Sequence, residues 1–148
     1  QGKYMECQNP KLCAKKHERW KRNQEQFISL GEKEHELFLE YLEKEEATLS
    51  LGYHADRRQF ERVVSTHDVN DIISHGWVIE RNFFPHEQAI SLVILGYTRT
   101  YRPIHVVCLV LADNHWEVKT VYSPTSKRHK WSTNFQERVC FCKSEGEN

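Results

Sequence analysis

Three groups of residues have the types and spacing for acid–base chemistry at a phosphate. In "YRPIHVVCLVLAD", from Tyr101 to Asp113, His105 interrupts an apolar run three residues after Arg102. An imidazole gives or takes a proton near neutral pH, and a guanidinium grips phosphate oxygens in a fork. In "YHADRRQFER", His54, Arg58 and Arg62 recur at i, i+4 and i+8, so a helix would stack them on one face. In "KTVYSPTSKRHKW", Tyr122 precedes a basic loop of Lys127, Arg128, His129 and Lys130, with Trp131 after it. Cations beside an aromatic ring suit single-stranded nucleic acid. Each group also has a plainer reading. His105 fits a packed core histidine with one hydrogen bond, and cations on a helix face or loop are commonly just solvated.

A fourth group concerns a metal. Cys7 and Cys13 stand near the start of the sequence, and Cys140 and Cys142 near its end. Chain ends often lie close together, so four thiolates would meet on one structural zinc. His17, one helical turn after Cys13, is a substitute ligand for one of them. The spacings C-x5-C and C-x-C differ from the usual zinc pairs, which leaves reduced surface or core thiols as the competing reading. Cys108, inside the apolar run, reads as a small core residue.

These groups need elements to position them. Helical spacing covers roughly 14–30, closed by Gly31, with a basic first half marked by Trp20 and Phe27. A second helix is expected over about 32–49, where Phe38, Tyr41, Leu42 and Leu49 recur in an acidic surround. A short charged helix would span 55–64. Another would span 69–74, behind the capping candidates Thr66 and Asp68 and before Gly76. Strands then follow in "GWVIERNFF", "AISLVILGYT", "PIHVVCLVLA" and "HWEVKTVYS", with "QERVCFCK" as a fifth and a tight turn at Asp113-Asn114. Helices followed by strands predict an α+β fold with an antiparallel sheet of four to five strands in meander order. The expected organisation is a helical N-terminal extension over 1–50, an α+β domain over 51–143 and a disordered tail over 144–148.

The chain has 148 residues, 39% hydrophobic and 28% charged, enough for one ordinary core. Formal net charge is zero, yet residues 51–143 carry twelve Lys/Arg against nine Asp/Glu. That lean favours anionic ligands but falls far short of a dedicated nucleic-acid binder. The sequence has neither an apolar membrane span nor a secretory signal, so a cytoplasmic protein without membrane contact is expected. Five cysteines in that setting argue against a disulfide framework.

The stretch from about His54 to Trp131 resembles a family of small bacterial and phage domains of uncharacterised function. The motifs that carry the resemblance are "HADRRQFER", "DVNDIISHGWVIE", "LVILGY", "RPIHVV" and "TVYSPTSKRHKW", in that order. The resemblance implies a fold similar to the barnase-like, EndoU-like and RelE-like ribonucleases, often toxins that cut RNA without a metal. It places catalytic roles on His54, Arg58, Arg102, His105 and Tyr122, and RNA contacts on Arg62, Lys127, Arg128 and Lys130. His54 or His105 would take the proton of a ribose 2′-OH, and Arg58, Arg62 and Arg102 would stabilise the charged phosphorus. Tyr122 would position the phosphate or supply a proton. No cofactor is needed for that chemistry. RNA is the implied partner, with a cognate antitoxin or inhibitor protein as a second.

Two function classes therefore stand side by side. One is a metal-independent endoribonuclease of toxin type, acting on single-stranded RNA by 2′-OH attack. The other is a non-catalytic RNA- or protein-binding module on the same fold, stabilised by zinc. They differ in whether His105 faces a solvent-reachable cleft or the core.

Overall fold

A single helix of 34 residues, α1 (Pro10–Glu43), opens the structure. The computed structural model describes residues 6–52, 64–86 and 88–142. Asn9 caps α1 by accepting from the Leu12 amide, and Pro10 starts it where no amide donor is needed. The helix runs straight through Gly31, where two helices were expected. Gly31 is buried, and a Cβ built there would sit 3.0 Å from both Leu92 and Val78 side chains. The glycine thus serves close approach of helix to sheet rather than termination. Glu45, at φ 60°, turns the chain after α1.

Strand β1 (Thr48–Leu51) follows, overlapping the end of the helix expected over about 32–49. The short helix expected over 55–64, and with it His54, Arg58 and Arg62, lies outside the described residues except for Val64. Helix α2 (Thr66–His75) is capped by Ser65, whose hydroxyl accepts from the Asp68 amide. It stops at Gly76, where a Cβ would clash with the Leu95 carbonyl. Four strands complete the sheet: β2 (Trp77–Phe84), β3 (Ala89–Tyr97), β4 (Pro103–Ala112) and β5 (His115–Tyr122). The β4–β5 turn is Asp113-Asn114, as expected from its residues.

The fold is α+β, but the sheet is mixed. Its order is β1-β5-β4-β3-β2. Strands β2 to β5 form the antiparallel meander, and β1 pairs in parallel with β5, Thr48 opposite His115. Among its described residues "QERVCFCK" adds no strand. Only an isolated bridge joins Trp131 to Arg138, and an irregular arm continues to Cys142. Strand β1 lies in the sheet and α1 packs on β2. Residues 143–148 lie outside the described residues.

The sheet divides the apolar residues into two clusters. On one face Leu92, Ile94, Val106 and Trp116 pack against Phe38 of α1 and Val69, Ile72 and Ile73 of α2. Trp116 stacks on Phe38 at 4.4 Å, worth about 1 kcal/mol beyond burial alone. On the other face Ile79, Val93 and Leu95 pack against Trp131 and Phe135 of the arm. A register shift between Val78 and Glu80 lets both Ile79 and Glu80 serve this second face. Gln24 of α1 covers the open edge of β2. Its amide donates to the Arg81 carbonyl and accepts from the Arg81 amide. Among the described residues no helix is long and apolar enough to cross a membrane.

Candidate functional site

The second face carries a groove of about 690 Å³. Its floor is sheet, including Val93, Val107, Lys119 and Tyr122. One wall is the 3-10 segment Pro124–Lys130, and the other is the arm around Arg138, Cys140 and Cys142, joined by Trp20 of α1. Four cationic side chains line it, Lys119, Lys127, Lys130 and Arg138, against one acid, Glu80. Aromatic rings of Trp20, Phe84, Tyr122 and Trp131 line it as well. Lys119 sits over the Phe84 ring at 4.6 Å, which holds its ammonium above an apolar surface.

Glu80 is buried in this wall and is satisfied by the residues around it. Arg138 donates to both its oxygens, at 3.2 and 3.4 Å, and the Trp20 indole N–H donates to Oε2. The Arg138 guanidinium also lies over Trp131 at 4.6 Å. A buried carboxylate costs several kcal/mol unless paired, so this set ties α1, β2 and the arm to one geometry.

His105 does not line the groove. It is fully buried beneath Tyr122, its direct partner across β4 and β5, and it packs edge-on to Trp131. Its Nε2 lies 2.9 Å from the Phe135 carbonyl, and its Nδ1 lies 3.1 Å from the Tyr122 hydroxyl. A carbonyl can only accept, so Nε2 carries the proton and bare Nδ1 accepts from Tyr122. Phe135 reaches this position with φ 63°, in a turn closed by its amide on the Ser132 carbonyl. Burial holds the His105 pKa down at about 4; the Arg138 charge adds to this and the Phe135 bond opposes it. A ring with no exposure and both nitrogens engaged is in no position to take a proton from a substrate. The plainer reading of His105 is the one the geometry favours.

This burial has a pH consequence. His105 falls from its ordinary 6.5 to about 4, so the unfolded chain binds that proton first. Its contribution is whole above pH 6.5 and drains as pH falls toward 4, by up to roughly 3 kcal/mol. The melting temperature of the wild type is expected to fall more steeply between pH 6.5 and 4 than that of His105→Gln. Equal slopes in thermal melts would show that His105 is not held neutral.

The other expected residues divide. Tyr122, Lys127 and Lys130 line the groove. Arg128 is exposed, its guanidinium 5.3 Å over Phe135. Arg102 is exposed in the β3–β4 connection, its amide on the Thr98 hydroxyl, and is not among the groove residues. His54, Arg58 and Arg62 lie outside the described residues. Trp20, Glu80, Lys119 and Arg138 are additions, and Glu80 carried the same signal as His105: a charged residue inside an apolar strand run.

At the outer end of the groove Cys7, Cys13, Cys140 and Cys142 converge. Their four sulfurs all lie within 4.8 Å of one another, close enough to hold a metal ion. Cys13 and Cys142 are 3.7 Å apart, and the Phe141 amide donates to Cys13 at 3.2 Å. Amides aimed at sulfur favour the thiolate that a metal needs. The Gln8 backbone bond is the main reason the Cys142 thiol drops to about 7, whereas burial pushes Cys140 up to about 12. His17 does not join the set. Its Nδ1 bonds the Arg138 carbonyl at 2.7 Å and its Nε2 faces Glu137 at 3.3 Å, which pins the arm to α1 instead.

No curated protein and no solved structure matches the chain. Residues 51–123 match the model of a domain of unknown function, DUF4258, a stretch that holds β2 to β5 and Tyr122 but neither α1 nor any of the four clustered cysteines.

Proposed function

We propose that the protein is a zinc-stabilised module that binds single-stranded RNA in the groove of its second sheet face. The observation that carries this reading is the lining: three lysines and several aromatic rings, from the strand floor and both walls, line one groove. Lysines track a phosphate backbone and rings take stacked bases, a combination that favours single strands over duplexes. Binding is favoured over cleavage because His105 lies beneath the groove floor with both nitrogens engaged.

Zinc is the metal proposed for the four cysteines. An all-sulfur tetrahedron with Zn–S near 2.3 Å has edges of about 3.8 Å, and the Cys13–Cys142 separation of 3.7 Å is close to that edge. With four protein ligands the site is closed to substrate, so its role is to fasten residues 6–13 to the arm. Tetrahedral thiolate sets take zinc or iron, and elemental analysis of the purified protein separates the two.

The test is a titration of a labelled single-stranded RNA of ~10 nucleotides, a length within the usual site sizes. Saturable binding is expected, with a log–log salt slope of about 2, as three lysines on three phosphates give at ~0.7 each. The recovered RNA should keep its length. Absence of binding overturns the reading, and shortened RNA ending in 2′,3′-cyclic phosphate restores the endoribonuclease.

A further inference from the structure

The four clustered cysteines differ in their access to solvent. Cys13 and Cys140 are buried, at 3% and 1% exposure, whereas Cys7 and Cys142 are partly exposed. Cys142 also lines the groove, which gives a small solute a path to it. Behind it the Cys13 sulfur lies 3.7 Å from its own, and the Phe141 amide donates to Cys13 at 3.2 Å. That bond favours the charged form of the inner sulfur. A partly exposed sulfur with a buried one at contact distance is the arrangement of an oxidisable pair, in which the outer meets the oxidant and the inner resolves it. Cys108 takes no part, since it is buried in the cluster on the other sheet face.

Resting on the metal reading above, we infer that the four-cysteine site is also an oxidation site, which exchanges its metal for a Cys13–Cys142 disulfide when a peroxide enters the groove. Cysteines that hold zinc are thiolates. The Cys142 thiolate attacks one peroxide oxygen, the O–O bond breaks, and hydroxide leaves and takes up a proton to become water. Cys142 is then a sulfenic acid. The Cys13 thiolate attacks its sulfur, the S–O bond breaks as the S–S bond forms, and a second hydroxide leaves as water with a second proton. The two sulfurs give up two electrons, and the peroxide accepts both. Neither sulfur keeps the charge that a metal needs, and Cys7 with Cys140 is half of a closed set. The sulfurs must close from 3.7 Å to about 2.05 Å. The irregular arm around Cys142 has no strand pairing to resist this. The disulfide joins the points that the metal joined, so the arm stays on α1 while Cys7 is released.

The test treats the full-length, zinc-loaded protein with a small molar excess of hydrogen peroxide beside a colour-forming zinc chelator. Zinc release is expected in step with the loss of two of the five thiols. Proteolysis and mass spectrometry should link Cys13 to Cys142 and find Cys108 reduced. The oxidised protein should melt above protein stripped by chelator under reducing conditions, which lacks the cross-link. Dithiothreitol should restore all five thiols and zinc uptake. A Cys7–Cys140 bond or a linked dimer in place of the Cys13–Cys142 bond overturns the inference. Protein that binds no zinc removes the metal reading and this inference with it. Zinc and thiols both retained under peroxide leave that reading intact and remove only the exchange.

Discussion

Stripping the metal, or changing Cys140 to Ser, is expected to lower the melting temperature by roughly 10 °C. The site joins parts of the chain 129 residues apart, Cys13 in the first turn of α1 and Cys142 at the end of the arm. Other bonds fasten the arm as well. Val139 and Cys140 amides reach the Lys130 carbonyl, His17 reaches Arg138, and Arg138 reaches Glu80. Isolated structural zinc sites are worth about 10–16 kcal/mol in peptides that fold only with metal. Here the cluster between α1, α2 and the sheet contains no residue of the arm, so a smaller loss, about 3–4 kcal/mol, is the expected scale. For a chain of this size each kcal/mol moves the midpoint about 2–4 °C. Elemental analysis should find one zinc per chain, absent from Cys140→Ser. An unchanged midpoint in metal-free protein would remove the metal from the account. The loss should also be felt at His105, because Trp131 and the Phe135 carbonyl belong to the same arm.

The double change Lys119→Glu with Lys127→Glu is expected to weaken RNA binding by about 100-fold at moderate salt. Two favourable phosphate contacts are removed and two repulsions are introduced. Each charge-assisted contact is worth on the order of 1.5 kcal/mol. The salt slope should drop by more than one unit, since fewer counterions are released. Both lysines are partly exposed, so stability should change little. Arg99→Glu is the control, an exposed cation in the β3–β4 connection away from the groove. Equal weakening by the control and the double variant would mean that binding is diffuse rather than seated in the groove.

The sequence shows some of this directly and hides the rest for physical reasons. Strands β2 to β5 are legible because apolar runs alternate with short polar turns, and the Asp113-Asn114 turn fixes one pairing. Gly31 misleads, because glycine's lack of a side chain serves termination and close packing equally, and only the neighbouring Val78 and Leu92 decide which. Strand β1 is four residues long and pairs in parallel with a partner some seventy residues away, a non-local contact with no local signature. The four cysteines can be matched only through the expectation that chain ends meet. Their actual spacing comes from a helix start and an irregular arm rather than an alternating strand.

The groove is less legible than its parts. Tyr122, Lys127 and Lys130 stand close in sequence and are found together. Trp20, Glu80 and Arg138 come from three separate elements, and the register shift at Val78/Glu80 breaks the alternation that would have assigned Glu80 its face. His105 shows why residue type alone misjudges a site. Its position beside Tyr122 follows from strand pairing, but its burial depends on Trp131 and Phe135, contributed by an arm thirty residues away.

The most direct test of the RNA groove is an amide map. Two-dimensional heteronuclear spectra of the zinc-loaded protein are recorded while single-stranded RNA is added. The account predicts shifts concentrated in 119–131 and 138–142, with the Trp20 indole signal moving alongside them and α2 on the opposite face silent. Shifts centred on α2 or on the exposed face of α1, with 119–131 unmoved, would contradict it.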